Sequence, residues 1–355
     1  MKKRKINYLL IMISLLVIIS IAFYRSGFPK TAQKTAPEKT RTNFLMNTVV
    51  QIKLYGEEGD RIIDRSFDRI RNIEEMMSRT LTGSDIYLLN ENYPSQEYIT
   101  VNPDTYKVLE RALYFADLSG GKFDPSIGLL VELWGIGTAA ARVPSAEEIE
   151  RALSSVDYRQ ILLKPENRSV KLLGEGMKLD LGAIAKGFAA DEVGKIMKEE
   201  GIESAFVNLG GNVLLIGSKP DGTPWKIGIQ DPRFNRGNVM ASIELQDKTI
   251  VTSGNYERYF EEDGIIYHHI LDPETGYPAR SDIISVSIVG DSSLDADALS
   301  TSVFILGVEK GLELINQLEG YEAMIITDEL GVIVTEGLKG KITLLNKDFY
   351  FLGSD

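Results

Sequence analysis

The sequence contains no cysteine. A chain without cysteine has no disulfide, no thiolate nucleophile, no zinc–thiolate site and no lipid-modified cysteine. An exported protein can manage without disulfides when its hydrophobic core is large enough. The chain has 355 residues, of which 43% are hydrophobic and 25% charged. This is typical of a globular protein with one large domain or two smaller ones.

Positive charge is scarce over most of the chain. Lys and Arg number 39 against 51 Asp and Glu, so the formal net charge is −12 at pH 7. Residues 1–41 hold nine Lys or Arg and one acid and so carry +8, which leaves −20 on the remainder. Such an acidic chain is not expected to bind nucleic acid. It would also repel an anionic nucleotide substrate, unless a divalent cation were bound beside it.

A long apolar run occupies residues 7–24, directly after four basic residues at positions 2–5. The run is long enough to span a bilayer, and the preceding positive charge places the N-terminus in the cytoplasm and the rest outside. A cleavable signal peptide is the alternative, but no convincing small-x-small site follows, so we favour an uncleaved anchor. The chain then divides into an anchor or signal at 1–25, a flexible tether at 26–43 and an extracytoplasmic domain at 44–355.

Helical and strand patterns are mixed along this domain. Apolar residues at helical spacing predict helices over 60–79 and 103–119. After residue 200 the chain becomes a series of short strand patterns joined by Gly, Asp or Pro turns, including a hairpin that turns at Asp263–Gly264. The pattern is neither regular βαβ nor all-β, so we predict an α+β fold.

The stretch from Lys178 to Asp191 organises the chain. It is predicted to open as a short strand, to turn at Gly182 and to continue as a helix. Asp180 ends the strand and Lys186 lies in the first helical turn, so free N–H groups, a helix dipole and a cation could together bind a phosphate. The alternatives are that Gly and Ala only allow close packing here, and that Asp180 and Lys186 form a local ion pair.

Asp297 and Thr301 lie four residues apart in a predicted helix, and therefore on one face of it. A carboxylate and a hydroxyl are hard oxygen ligands, which suit Mg²⁺. The alternative is that Asp295 or Asp297 caps the helix and that Thr301 lies on a packed face.

The only two histidines of the chain, His268 and His269, are adjacent. Neighbours on a strand point to opposite faces, so one of the two is expected to face a cleft. Histidine can accept a proton near neutral pH. A purely structural role is the alternative, and the turn that follows at Asp272–Gly276 favours a functional one.

Together these segments resemble the ApbE family of FAD:protein FMN transferases. The resemblance runs from about Met46 to about Gly307 and rests on several blocks in order, namely residues 121–126, 178–191, 253–256, 268–278 and 295–301. It implies an ApbE-like, T-fold-related α+β fold of mixed sheets with flanking helices. It also implies a ligand cleft between two intertwined subdomains.

The resemblance assigns roles to individual residues. It implies a magnesium or manganese site formed by Asp297, Thr301 and the backbone carbonyl of Ala183, and it makes His269 the base or orienting group, with His268 a bystander. Lys186 would steady the pyrophosphate and Asp180 a hydroxyl or ring nitrogen, while Phe123 could equally be a core residue. The positions it implies for FAD binding are Met46, Lys122, Phe123, Asp124, Asp180, Lys186, Tyr256 and Leu271.

Two departures from the family pattern stand out. Many members carry a tyrosine after a Met-Ser-x sequence, but here Met77-Ser-Arg79 is followed by Thr80. Ring stacking is impossible at that position, and Tyr87 is the nearby alternative. The lipid-attachment cysteine of many relatives is also missing, and the apolar run would replace it as an anchor.

The implied activity is Mg²⁺-dependent transfer of FMN from FAD to a Ser or Thr hydroxyl of an exported or membrane partner protein. A phosphoester would form and AMP would leave. The alternatives are an Mg²⁺-dependent FAD pyrophosphatase that releases FMN and AMP, and an anchored flavin-binding protein without activity. The expected location is the bacterial cell membrane, single-pass, with the domain outside and an extracytoplasmic acceptor as partner.

Overall fold

The structure, a computed structural model, describes residues 36–92, 97–234 and 237–353. The predicted anchor lies outside these residues. Within them, no helix has both the length and the apolar character needed to cross a membrane. The architecture is α+β, as predicted, with several sheets and flanking helices.

Strands are short and spread over the whole described chain. They are β1 (Glu38–Leu45), β2 (Thr48–Tyr55), β3 (Ile99–Thr100), β4 (Ile161–Lys164), β5 (Ser169–Leu172), β6 (Ala205–Leu209), β7 (Asn212–Ile216), β8 (Trp225–Gln230), β9 (Val239–Leu245), β10 (Thr249–Gly254), β11 (Tyr259–Glu262), β12 (Ile265–His268), β13 (Ile283–Gly290), β14 (Glu322–Thr327), β15 (Gly331–Val334), β16 (Ile342–Leu344) and β17 (Tyr350–Phe351).

The α-helices occur between residues 59 and 199 and again between residues 293 and 316. They are α1 (Gly59–Met77), α2 (Asp85–Glu91), α3 (Pro103–Leu118), α4 (Gly128–Trp134), α5 (Ala146–Leu153), α6 (Ala185–Glu199), α7 (Ser293–Leu306) and α8 (Val308–Asn316). The two helices predicted from apolar spacing correspond to α1 and α3. Asn102 caps α3 by accepting the Asp104 N–H, and Pro103 opens the helix.

The main sheet of the described chain has nine strands in the order β1-β2-β6-β7-β10-β13-β14-β15-β17. Its neighbours are antiparallel except for β15 and β17, which run parallel. Smaller sheets combine β16-β9-β8 and β3-β5-β4, and β11 pairs with β12 alone. That last hairpin has its positive-φ residues at Asp263 and Gly264, where the sequence predicted the turn.

Hydrophobic residues fill both faces of the main sheet. On one face, Val50 and Ile52 of β2 meet helices that include α1, α6 and α7. On the other face, Val213 and Ile250 pack with residues of β8 and β9. Helices α6 and α7 touch at Gly187, where an added Cβ would lie 2.2 Å from the Ser293 carbonyl oxygen. Only glycine allows this approach, which brings the two predicted site segments together.

Strand β1 corrects the predicted tether. The tether was expected to extend to residue 43, but residues 38–43 pair with β2 in continuous antiparallel register. Their polar sequence lacks the apolar alternation that signals a strand, and most of them are exposed. Backbone pairing with β2 and ion pairs from Lys39 to Asp60 (2.6 Å) and from Arg41 to Asp64 (2.5 Å) hold the strand instead.

Candidate active site

The first turn of α6 is held by a side chain of α7. The Gly187 N–H donates to Oδ2 of Asp297 at 2.9 Å instead of to the carbonyl of Ala183, the usual acceptor four residues earlier. Within the described ranges, the Ala183 carbonyl accepts no backbone hydrogen bond. The oxygen of Ala183 and the carboxylate of Asp297 are thereby brought to the junction of the two helices.

Asp297 is buried, with 3% of its surface exposed. Its second oxygen, Oδ1, lies 3.5 Å from the Nζ of Lys186, which also donates to the Gly182 carbonyl at 3.0 Å. Thr301 lies one turn further along α7, and its hydroxyl makes no hydrogen bond within the described chain. Asp297, Thr301 and the Ala183 carbonyl therefore offer oxygen ligands that could hold a hard cation.

Neither Asp295 nor Asp297 caps helix α7. Ser292 is the N-cap and accepts the Asp295 N–H, while Asp191 accepts the N–H groups of the next two residues at 2.8 and 3.0 Å. Asp295 instead accepts a two-pronged pair of hydrogen bonds from Arg111 at 2.7 and 2.8 Å and one from the Tyr321 hydroxyl at 2.7 Å. The capping alternative is wrong, and the two aspartates have different surroundings.

His269 is held by the backbone of Arg258. The His269 N–H donates to the Arg258 carbonyl at 3.1 Å, and Nδ1 lies 3.2 Å from the same oxygen. Because a carbonyl can only accept, Nδ1 carries the proton and Nε2 keeps its lone pair in the neutral ring. Burial of the ring, together with the charges of Arg258, His268 and Lys186, lowers the pKa of His269 to about 3. The imidazole is therefore neutral at physiological pH and can accept a proton.

The charges that act on His269 show which predicted residues the fold assembles. Lys186 comes from α6 and Arg258 from the segment before β11, so the ring lies near cations from two separate elements. Lys186 in turn reaches Asp297. The structure therefore brings His269, Lys186 and Asp297 into one site.

His268 belongs to the core. It is buried, its Nε2 lies 2.9 Å from the Ala279 carbonyl, and its ring meets the Phe304 ring edge-on. Burial lowers the pKa of His268 as well. The adjacent histidines thus point to different environments, as neighbours on a strand do.

Met46 lies in the two-residue turn that joins β1 to β2. Met46 and Asn47 both have positive φ, 51° and 56°, as a tight hairpin turn requires. The Asn47 carbonyl accepts a hydrogen bond of 3.0 Å from Nη2 of Arg258. Arg258 therefore connects the Met46 turn to the backbone of His269, directly after β12. The sequence analysis missed this residue, because Asn47 and Arg258 are 211 positions apart.

Asp180 does not pair with Lys186. Its Oδ2 lies 2.9 Å from Nε of Arg79, and its Oδ1 accepts the Gly182 N–H at 2.7 Å. The alternative of a local ion pair between Asp180 and Lys186 is therefore wrong. Arg79 directly precedes the exposed Thr80, so a guanidinium lies beside the position where many family members carry a tyrosine.

The segment 121–126 is fastened to its neighbours. Lys122 binds Asp272 at 3.0 Å and Glu274 at 2.6 Å, in the turn that follows His269. The Asp180 N–H donates to the Pro125 carbonyl at 2.9 Å. The segment thus contacts both the turn after His269 and the Asp180 segment, and Lys122 pairs with acids of the protein.

Three predicted flavin-binding side chains are buried. Phe123 and Leu271 are each 4% exposed and pack in the core, so the core alternative for Phe123 is what the structure shows. Asp124 accepts the N–H and hydroxyl of Ser126 and the N–H of Tyr158, and burial raises the pKa of its carboxyl. These side chains are therefore part of the packed interior.

Tyr256 lies in the turn that follows β10. Its hydroxyl is 3.2 Å from Oγ of Ser285. Ser253 of β10 and Ser300 of α7 share a 2.8 Å hydrogen bond. The Ser300 hydroxyl donates to the Asp297 carbonyl at 2.8 Å. Hydroxyl groups therefore join β10 to α7 and the turn after β10 to β13.

Comparison with known proteins identifies the family of this chain. The model of the ApbE family matches residues 46–325. The chain is 36% identical to the FAD:protein FMN transferase of Treponema pallidum over 88% of this chain and 91% of that protein. It is 33% identical to the enzyme of the same name from Klebsiella pneumoniae, over 86% of this chain and 94% of that protein.

Solved structures show the same fold. A crystal structure of the ApbE protein of Thermotoga maritima superposes with a TM-score of 0.79 at 36% identity, over 86% of this chain and 99% of that one. The flavin transferase ApbE of Vibrio cholerae gives 0.77 at 27% identity, with the same coverage. Fold and relatives define this chain as an enzyme of the transferase class. It belongs to the ApbE family.

Proposed function

We propose that this enzyme transfers FMN from FAD to a Ser or Thr hydroxyl of a partner protein. The acceptor oxygen would bond to the FMN phosphorus, the bond from that phosphorus to the bridging oxygen of AMP would break, and AMP would leave. The names of the relatives support the reaction class. The observation that carries the proposal is a neutral His269 within electrostatic range of Lys186, which itself reaches Asp297.

His269 is the group that would take the proton of the acceptor hydroxyl. Its Nδ1 is committed to the Arg258 carbonyl, so Nε2 is the accepting atom. A base with a pKa of about 3 is weak. The negative diphosphate of FAD would stabilise the imidazolium and raise this pKa toward the range where a general base is effective. Binding of FAD would thus make His269 a stronger base.

The ligand set fits Mg²⁺, with Mn²⁺ as an alternative. Asp297, Thr301 and the Ala183 carbonyl would hold the ion, since the carbonyl lacks a backbone donor and the hydroxyl lacks a partner within the described chain. Of these three ligands only Asp297 is a carboxylate, and the described residues contain no cluster of three or more His, Cys, Asp or Glu side chains. A bound ion would neutralise charge on the phosphoryl oxygens.

We also propose that the enzyme acts outside a bacterial membrane. The support is the sequence pattern at residues 2–24, which lies outside the described structure. The partner would be an exported or membrane protein with an exposed Ser or Thr segment.

The test is a transfer assay with the full chain, FAD, Mg²⁺ and a candidate acceptor domain. Flavin fluorescence on the acceptor band and the mass increment of FMN are expected, and EDTA or His269→Ala should abolish both. The exposed variant Arg280→Met serves as a control that keeps transfer. Free FMN and AMP without labelled acceptor would indicate a pyrophosphatase, and bound FAD without products would indicate a binding protein.

A further inference from the structure

Arg258 differs from the other cations around the site. Lys186 is paired with Asp297, Arg79 with Asp180, and Lys122 with two acids of the turn after His269. Within the described chain, Arg258 has no acidic partner. Its side chain donates one hydrogen bond, to the neutral Asn47 carbonyl. Its charge is therefore not compensated by a carboxylate.

The position of Arg258 is set from two directions. Its own carbonyl oxygen binds both the N–H and the Nδ1 of His269, so its main chain lies against the ring. Its guanidinium is anchored at 3.0 Å to the hairpin turn that contains Met46. Arg258 is exposed, so the remaining guanidinium donors can reach a ligand.

The surrounding charge makes an uncompensated arginine informative. The chain from residue 42 onward carries −20, and the site cations named above are matched by acids. Arginine presents several donors in a rigid fork that matches phosphate oxygens. Because Arg258 is held by a neutral carbonyl and not by a carboxylate, its positive charge and its other N–H donors remain available to an anion.

We propose that Arg258 is a substrate-binding residue that donates to a phosphate oxygen of the FAD diphosphate. This inference rests on the proposed function. Lys186 and Arg258 would then both contact the diphosphate near His269. The proposal predicts that Arg258 separates flavins that carry phosphate from riboflavin, which carries none.

The test measures flavin binding to the full chain by fluorescence quenching. EDTA is present, so that turnover stops and only protein cations contribute. FAD, FMN and riboflavin are titrated into wild type, Arg258→Met and Arg258→Lys. Loss of one charge-assisted hydrogen bond is expected to weaken FAD and FMN binding about 10- to 100-fold in Arg258→Met. Riboflavin binding should stay unchanged, and Arg258→Lys should fall in between.

Arg280→Met is the matched control, because Arg280 is exposed and has no ion pair or hydrogen bond in the described ranges. It should bind all three flavins like wild type. Equal weakening of all three flavins in Arg258→Met would show that Arg258 only supports the fold, and unchanged FAD binding would also overturn the proposal. If every variant binds FAD as tightly as wild type does, and wild type transfers FMN in the separate assay with Mg²⁺, only this inference fails. If wild type binds no FAD in EDTA or in Mg²⁺, the proposed function fails with it.

Discussion

Two pairs of like residues divide this molecule into a framework and a site. Asp295 and His268 have complete sets of partners: the fork of Arg111 with the Tyr321 hydroxyl, and the Ala279 carbonyl with the Phe304 ring. Their neighbours Asp297 and His269 have incomplete sets. Asp297 Oδ1 faces only the ammonium of Lys186 at 3.5 Å, and Nε2 of His269 has no described partner.

The difference shows that residue type and chain position do not decide a role. Each pair is separated by one or two positions, yet one member is satisfied inside the protein and the other is left with capacity to bind. Buried polar groups normally have hydrogen-bond partners, so a polar atom without one marks a place where a ligand is expected. The same substitution made at each member of a pair tests this division of roles.

The largest expected effect comes from the histidines. His269→Asn should lower the rate of FMN transfer about 10²- to 10⁴-fold, because it removes the proton acceptor. His268→Asn should lower the Tm while the protein that remains folded still transfers FMN. Parallel measurements of transfer rate and of Tm by calorimetry check the pair. Similar rate losses in both variants would contradict the division.

The aspartates should show a somewhat smaller contrast. Asp297→Asn keeps an acceptor for the Gly187 N–H but removes the negative charge, so transfer should fall about 10²- to 10³-fold with little change in stability. Asp295→Asn should cost about 1–3 kcal/mol of unfolding free energy, because hydrogen bonds from Arg111 lose a charged acceptor. Transfer assays measure the rate of each variant, and urea unfolding measures its stability. A stability loss confined to Asp297→Asn would reverse the assignment.

The contact between α6 and α7 can be tested by substituting Gly187. In Gly187→Ala the new methyl would lie 2.2 Å from the rigid Ser293 carbonyl, so α6 and α7 must separate, at an expected cost of about 1–3 kcal/mol. Gly194→Ala on the same helix meets the flexible end of Leu214 at 2.8 Å, and its gain in helix propensity should offset the strain. Urea unfolding compares them, and equal costs would argue against the close contact.

A further expected effect is on the pH dependence of stability. The pKa of His269 falls from 6.5 in the unfolded chain to about 3 in the fold. The unfolded state therefore binds a proton that the folded state rejects, and stability decreases as the pH is lowered from about 6.5 toward 3. His269→Asn should show a shallower decrease of Tm between pH 6.5 and 4. Superimposable curves would show that the ring is not excluded from water.

Much of the fold was predictable because its signals are local. Apolar spacing marked α1 and α3, and Asp263–Gly264 marked the hairpin of β11 and β12, since these patterns depend on residues that are close in the chain. Strand β1 was missed because pairing with β2 holds its polar residues, which carry no apolar signal. Local rules detect buried faces better than exposed strands at a sheet edge.

The site was predictable in its parts but not in its connections. The resemblance singled out His269, Lys186 and Asp297, and the structure assembles these three. The residues alone could not show that Arg111 satisfies Asp295 or that Arg79 binds Asp180, because tertiary contacts choose among equivalent carboxylates. The link from Arg258 to Asn47 left no trace in the sequence for the same reason.

The carboxylate that receives the Gly187 N–H has a consequence for amide exchange. An ordinary first helical turn opens on its own, whereas this amide is released only when α7 moves away or Asp297 finds another partner. The Gly187 amide is thus a reporter of the contact between two distant segments of the chain. In a hydrogen–deuterium exchange measurement, it should slow or quicken with occupancy at Asp297 while the amides later in α6 keep their rates.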